Sequence, residues 1–265
     1  MKFNFKKKYG QHILINSIII NKIITFINPK YNNIMVEIGP GSGALTMPMI
    51  YYNNNMTIIE IDKDFYKILL NNKILNKSNT KIILDNALNI DYSIFTKKYH
   101  KKIRIFGSLP YNIATQLLFL LFNFNNIKDM HFIMQKEIIQ RLIAHPGNKY
   151  YGCLSIMSQI YCKIKPLIEI KPCEFYPIPK VFSQMVCLRP YIYNPYHINN
   201  ITIFKIIIQT AFSMRRKTLR NSLKNLFTVD DLNTLGIDYK IRAENVSIME
   251  YCQLAKLLES NYKRI

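Results

Sequence analysis

The chain has 265 residues, 49% hydrophobic and 20% charged, which excludes a disordered chain and suits one large domain or two modest ones. Lys and Arg number 36 against 16 Asp and Glu, and the resulting +20 points to a polyanion, either nucleic acid or an acidic membrane surface. Ile, Asn, Lys and Tyr are abundant, as an AT-rich genome would favour, so part of the Lys excess is compositional drift.

Cys153, Cys162, Cys173, Cys187 and Cys252 are widely spaced with no CxxC. Neither a zinc site nor a disulfide scaffold is expected. The basic start MKFNFKKKYGQ leads into no apolar leader region. The longest apolar runs, such as 117–122, fall far short of the roughly 20 residues needed to cross a bilayer. A cytoplasmic monomer without metal or membrane contact is expected.

In chain order, Ile34–Ile38, Met56–Ile61, Lys81–Leu84, Ile103–Phe106 and Met130–Met134 read as buried strands. Helical patterns follow from Ala44, Asp64 and Gln135. Strands alternating with helices indicate an α/β fold with a mainly parallel sheet, whose ligands bind at the carboxyl ends of the strands. The segment RPYIYNPYHINN, rich in Pro, Tyr and Asn, reads as a linker. After it, Ile201–Leu226 and Tyr251–Leu258 have helical apolar spacing. The expected organisation is an α/β domain over 1–190 and a small all-helical domain over 198–265.

The first motif is Val36-Glu-Ile-Gly-Pro-Gly-Ser-Gly43, a strand running into three glycines. Such glycines let the backbone turn tightly and approach a ligand. Glu60 ends the next strand, where an acid commonly accepts hydrogen bonds from ribose hydroxyls. Together they indicate an adenosine-containing cofactor without choosing NAD over S-adenosylmethionine.

The second motif is Phe106-Gly-Ser-Leu-Pro-Tyr-Asn112, after the fourth strand. It resembles the (Asp/Asn/Ser)-Pro-Pro-(Tyr/Phe) motif of amino-group methyltransferases. An aromatic amine is a poor nucleophile because its lone pair is delocalised into the ring. Two acceptors on its N–H groups, Ser108 and a carbonyl of Leu109 or Pro110, would localise the lone pair and stabilise the growing positive charge. Pro110 stiffens the turn, and Tyr111 offers a face for an extruded base.

Nearly the whole chain resembles the bacterial small-subunit (16S) ribosomal RNA adenine dimethyltransferase family. The matching segments include KKKYGQHIL (6–14), MVEIGPGSGALT (35–46), FGSLPYNIAT (106–115), FYPIPKVFSQMVCLRP (175–190), AFSMRRKTLRNSLKNLF (211–227) and RAENVSIMEYCQL (242–254). The resemblance implies a Rossmann-like, seven-stranded S-adenosylmethionine-dependent methyltransferase sheet with a C-terminal helical domain. It also implies transfer of four methyl groups onto two adjacent adenines of 16S rRNA within the 30S subunit. Carried over by position, His12 and Leu14 would lie over the cofactor, and Gly39, with Gly41 in the same loop, would approach it. Glu60 would hold the ribose, Asp85 or Asn86 would meet the adenine amine, and Ser108 would sit between cofactor and target base. The family favours Asn where His12 and Ser108 stand. That departure keeps open an alternative, a 30S assembly factor that binds RNA without efficient methylation.

Arg215, Arg216, Lys217, Arg220 and Lys224 fall in one apparent helical stretch. Arg216, Arg220 and Lys224 recur every fourth residue, as a phosphate-tracking face or a merely solvated one would. Lys97, Lys98, Lys101, Lys102 and Arg104, together with Lys6–Lys8, are candidates to ring the same RNA cleft. Phe175–Lys180 is expected to form a rigid loop near the target base. His100, His131, His145 and His197 read as structural or surface residues.

Overall fold

A computed structural model of the chain describes residues 5–6, 9–53, 55–96, 101–110, 113–214 and 216–262. The chain divides into two compact units, one formed by 1–139 with 163–190 and the other by 140–162 with 191–265.

In the first unit the elements run β1 (Ile13–Leu14), α1 (Ser17–Ile27), β2 (Ile34–Ile38), α2 (Thr46–Ile50), β3 (Met56–Glu60), α3 (Lys63–Leu70), α4 (Lys73–Asn76) and β4 (Lys81–Leu84). They continue with β5 (Ile103–Ser108), α5 (Ala114–Leu121), β6 (Ile127–Gln135) and α6 (Lys136–Leu142), within which the unit boundary falls. After α7 (Cys153–Tyr161), which belongs to the second unit, come β7 (Cys162–Ile170), β8 (Phe175–Tyr176) and β9 (Ser183–Pro190). Seven strands form one sheet in the order β4-β3-β2-β5-β6-β9-β7. The pairs β4–β3, β3–β2, β2–β5 and β5–β6 are parallel, and β6–β9 is antiparallel.

The five expected strands all form; β2, β3, β5 and β6 are apolar runs covered on both faces, and β4 is a half-exposed edge strand. Met35, Val36, Ile58, Ile103, Ile105 and Phe106 are wholly buried. From β2 the chain builds outward to β4 on one side, then returns to β5 on the other. The strand order therefore reverses between β2 and β5, and the loops after these two strands flank one crevice. A second, two-stranded sheet pairs β1 antiparallel with β8.

The second unit holds α7, α8 (Ile201–Ser213), α9 (Leu219–Leu223), α10 (Val229–Thr234) and α11 (Ile248–Tyr262). Here the boundary differs from the expected one. Residues 140–162 leave the α/β unit because Tyr151 packs among the helices. Its ring meets Phe212 edge-on with centroids 6.3 Å apart, and its hydroxyl donates to the Val246 carbonyl at 3.1 Å.

The single helix expected over 201–226 is also corrected. It breaks after Ser213, and Thr218 is extended and bridges to Arg242. The Leu219 and Arg220 amides donate to Ile241 and Tyr239 carbonyls. The turn lets Leu219 and Leu223 bury completely. Arg216 and Lys217 consequently lie outside any helix. Arg220 and Lys224 keep a common face on α9 and its C-cap, and Arg215 lies outside the described residues. Among the described residues no helix is long and apolar enough to cross a membrane, and no His/Cys/Asp/Glu group could hold a metal ion.

Candidate active site

At the carboxyl ends of β2, β3 and β5 lies a cavity of about 310 Å³. That size falls in the roughly 300–1,000 Å³ range of small-molecule sites. His12, Leu14, Gly39, Gly41, Glu60, Asp85, Asn86, Ser108, Leu109 and Pro110 all line it. Ten sequence candidates thus share one crevice, where the order reversal of the sheet directs them. Tyr111 lies outside the described residues.

The glycine loop forms the first wall. Gly39, Gly41 and Gly43 have φ of +67°, +57° and +92°, a region that side chains rarely tolerate. A Cβ on Gly39 would stand 3.4 Å from the Ser108 carbonyl, so this residue also lets the β2 and β5 loops approach closely. At Gly107 a Cβ would collide with the Ile38 carbonyl. Only glycine can precede Ser108 with β2 so near.

Two buried carboxyls form the next wall. Glu60 is 4% exposed and accepts the Gly41 N–H at 3.0 Å and the Asp62 N–H at 2.8 Å, one on each oxygen. Burial pushes its carboxyl above the usual range, against the pull of those amides. Glu37 is 1% exposed and accepts the Thr46 hydroxyl at 2.6 Å. Burial pushes Glu37 up to about 8, opposed by the Thr46 hydroxyl and assisted by the charge of Glu60. The glycine motif alone does not single out Glu37, although an acid inside the buried run IMVEI is itself a signal.

The N-terminal arm closes one side. The Lys6 ammonium contacts Asp62 at 2.5 Å and Asp64 at 2.6 Å, and the Gln11 amide donates to Asp62 at 2.6 Å. Burial works against ionised Asp62, yet Lys6, the Asp64 N–H and Gln11 outweigh it and hold the carboxyl below its ordinary value. His12 Nδ1 lies 2.6 Å from the Pro177 carbonyl, and β1 pairs with Phe175 and Tyr176. The arm and the 175–177 segment are therefore one structure at the cavity wall. The clasp of Lys6, Gln11 and Asp62 had not been foreseen, since no local pattern links residues 56 positions apart.

Asp85 and Asn86 follow β4. Asp85 Oδ1 accepts the Asn86 N–H at 2.6 Å and the Asn89 amide at 3.2 Å. Asn86 Oδ1 accepts the Leu88 N–H at 3.0 Å. At the end of β5 the Leu109 N–H donates to the Ile133 carbonyl at 2.9 Å. The Pro110 carbonyl accepts from both Ile113 and Ala114 at 3.2 Å.

One expected feature is corrected. Arg104 does not face a cleft: it is 7% exposed and lies near the amino end of β5, remote from Ser108. Its Nε donates to Asp129 at 2.8 and 3.1 Å, and its other nitrogens reach the Ile27 and Asn28 carbonyls and Asn33. Lys101 and Lys102 are exposed at that same amino end, so they do not ring the cavity. Lys7, Lys8, Lys97 and Lys98 lie outside the described residues.

Known proteins share this chain nearly from end to end. The sequence model for ribosomal RNA adenine dimethylase matches residues 2–260. A ribosomal RNA small subunit methyltransferase A from Buchnera aphidicola is 47% identical over 267 residues, 97% of this chain and 96% of its own. One of the same name from Erwinia tasmaniensis is 44% identical over 257 residues, 97% of this chain and 94% of its own. The solved dimethyladenosine transferase from Plasmodium falciparum superposes with a TM-score of 0.79 at 25% identity, covering 96% of this chain and 98% of that one. The 23S rRNA methyltransferase ErmE, at 17% identity and a TM-score of 0.72, shares the fold. The match over residues 2–260, with relatives this similar along nearly their whole lengths, shows that the chain belongs to the ribosomal RNA adenine dimethylase family.

Proposed function

We propose that the protein dimethylates the 6-amino groups of two adjacent adenosines near the 3′ end of 16S rRNA in the small ribosomal subunit, with S-adenosylmethionine as donor. The observation that carries this reading is a single cavity joining a ribose-type carboxylate, Glu60, to an amine-type acceptor, Ser108.

The cavity fits the cofactor. A Cβ on Gly41 would meet only Ile13, at 4.0 Å, so the loop backbone stands open for a ligand. Each Glu60 oxygen holds one backbone N–H, which leaves an acceptor position on each for ribose hydroxyls. Asn86 Oδ1 already holds the Leu88 N–H and keeps one acceptor position beside its two amide donors, whereas both acceptor positions of the charged Asp85 Oδ2 remain open. The 6-amino group of an adenine needs an acceptor, which favours Asp85, with Asn86 donating to a ring nitrogen. When bound, S-adenosylmethionine supplies an electrophilic methyl group on a sulfonium sulfur.

The chain's own part is to prepare the target amine. Ser108 Oγ accepts one N–H. The Pro110 carbonyl already takes two helix N–H groups, so the second acceptor is the Leu109 carbonyl. Fixed by β5 and by the Ile133 bond, these acceptors need no reorganisation as positive charge develops. The methylated ammonium loses its proton to water without a protein base. Tyr111 would stack on the extruded base, and Arg215, Arg216, Lys217, Arg220 and Lys224 would contact phosphates.

The test is mass spectrometry of 16S rRNA from 30S subunits lacking the modification, incubated with the protein and S-adenosylmethionine. Two dimethyladenosines per subunit are expected. Binding of the subunits without any methylation would replace this reading by the assembly-factor alternative.

A further inference from the structure

On the sheet face bordered by Phe26 of α1, a second cavity of about 310 Å³ opens over β6, β9 and β7. It is lined by Lys163 and Lys165 from β7, Cys187 and Arg189 from β9, and His131 from β6. Residues two apart on a strand share a face, and His131 stands opposite Cys187 in register. Three cations therefore rim a floor whose His131 is 3% exposed. His131 Nδ1 makes no hydrogen bond and lies 3.5 Å from Asp129 Oδ1. No Asp or Glu among the described residues lines the cavity. The nearest carboxylate along β6, Asp129, is bound to Arg104.

Ordinary structural roles do not account for this cluster. A sheet face in an α/β fold normally carries apolar residues under a helix. Lysines on β7 protect an edge strand from pairing with another chain. That explanation fails for Arg189, since β9 lies between β6 and β7 and is no edge. Like charges gathered without a counter-charge repel one another, and an anion removes that repulsion.

We propose that this groove holds consecutive phosphates of the ribosomal RNA backbone, as a contact surface separate from the methyl-transfer cavity. Lys163 and Lys165 are about 6.6 Å apart along the strand, comparable to successive phosphates of one RNA chain. Ser183, at the other end of β9, lines the methyl-transfer cavity. Six residues of strand, about 20 Å, separate it from Arg189. The groove thus grips the particle away from the reacting adenine and sets affinity, not chemistry. The inference rests on the reading of the protein as an rRNA methyltransferase.

The test substitutes all three exposed cations, K163Q/K165Q/R189Q, and measures binding to unmodified 30S subunits from low to high salt. Each lost phosphate contact lowers the slope of log affinity against log salt by about 0.7–0.9, so for three contacts a fall of about 2–3 units is expected. The rate at saturating subunit, cofactor affinity and melting temperature should stay at wild type while KM rises. The charge-preserving K163R/K165R/R189K should restore the slope. A wild-type slope in the glutamine variant, with wild-type protein methylating normally, overturns the groove alone. Failure of wild-type protein to bind or methylate subunits overturns the functional reading and the groove with it.

Discussion

At the carboxyl edge of the main sheet, Glu37 and Glu60 are buried, and each is held by named donors, the Thr46 hydroxyl for one and two backbone amides for the other. At the amino edge, Lys101, Lys102 and Lys128 stand exposed, and the buried charge is Arg104, with Asp129 as its partner. A buried charge must find compensation for lost water, so its position is fixed and its neighbours identify it. An exposed cation is already solvated, so only its sum with others has an effect. Single substitutions should therefore be severe among the buried charges and nearly silent among the exposed ones.

The largest contrast lies within the amino edge itself. Arg104→Met strands the Asp129 carboxylate under the end of α1 and should cost about 3–5 kcal/mol of stability. Lys101→Ala with Lys102→Ala should stay within about 0.5 kcal/mol. Adding Asp129→Leu to Arg104→Met should recover part of the loss, because no unpaired charge then remains. Urea unfolding of the four proteins decides this. Equal midpoints for Arg104→Met and the lysine pair would abolish the distinction between the edges.

Ser108→Ala is next. Removing one preorganised acceptor should slow methyl transfer by about 100-fold, with cofactor affinity and subunit binding little changed. Ser108→Asn, the residue the family favours, should keep the rate and alter the ratio of mono- to dimethyladenosine, because a monomethylated amine has one N–H left. Single-turnover assays with product analysis measure both. An unaltered rate in Ser108→Ala would leave the Leu109 carbonyl to act alone.

The same distinction explains what could be read from the sequence. The inner parallel strands were legible because burial on both faces leaves unbroken apolar runs, and the glycine loop because positive φ demands glycine. Of the seven strands of the main sheet, β7 and β9 were not located, nor were the short β1 and β8. β7, with Lys163, Lys165 and Glu169 alternating with Ile164, Pro166 and Ile168, has the period of a half-exposed edge strand and tolerates its proline there. The break after Ser213 was hidden because apolar spacing continues across it, while its cause is a pairing with residues 239–242. Arg104 looked like one more cation of a basic run. The partner that makes it structural is 25 residues away and becomes its neighbour only through the parallel register of β5 and β6.

Glu60→Ala should weaken S-adenosylmethionine by about 2 kcal/mol, the loss of hydrogen bonds to a charged acceptor. Binding of 30S subunits should be unaffected. Glu60→Gln should recover part of the affinity, since its oxygen can still accept a hydroxyl. Calorimetry showing wild-type affinity in the Ala variant would remove Glu60 from the ribose position.

The change that is smallest per step of the measurement is a titration at Glu37. Its folded pKa of about 8 lies above the ordinary 4.5, so the folded chain holds a proton that the unfolded chain has released. The associated stability is fully present below about pH 4.5 and is lost as pH rises through 8. Within that window one extra proton in the folded state changes stability by about 1.4 kcal/mol per pH unit. Glu37→Gln keeps an oxygen for the Thr46 hydroxyl and cannot ionise. The stability of wild type minus that of Glu37→Gln should therefore fall with pH between about 6 and 7.5 at roughly that slope, then flatten above 8. Taking the difference cancels titrating groups that are not coupled to Glu37, such as His131, while the Glu60 charge that helps raise Glu37 stays within the measured window. A flat difference curve would mean that Glu37 is ionised at neutral pH, and that Thr46 and its surroundings compensate its buried charge in full.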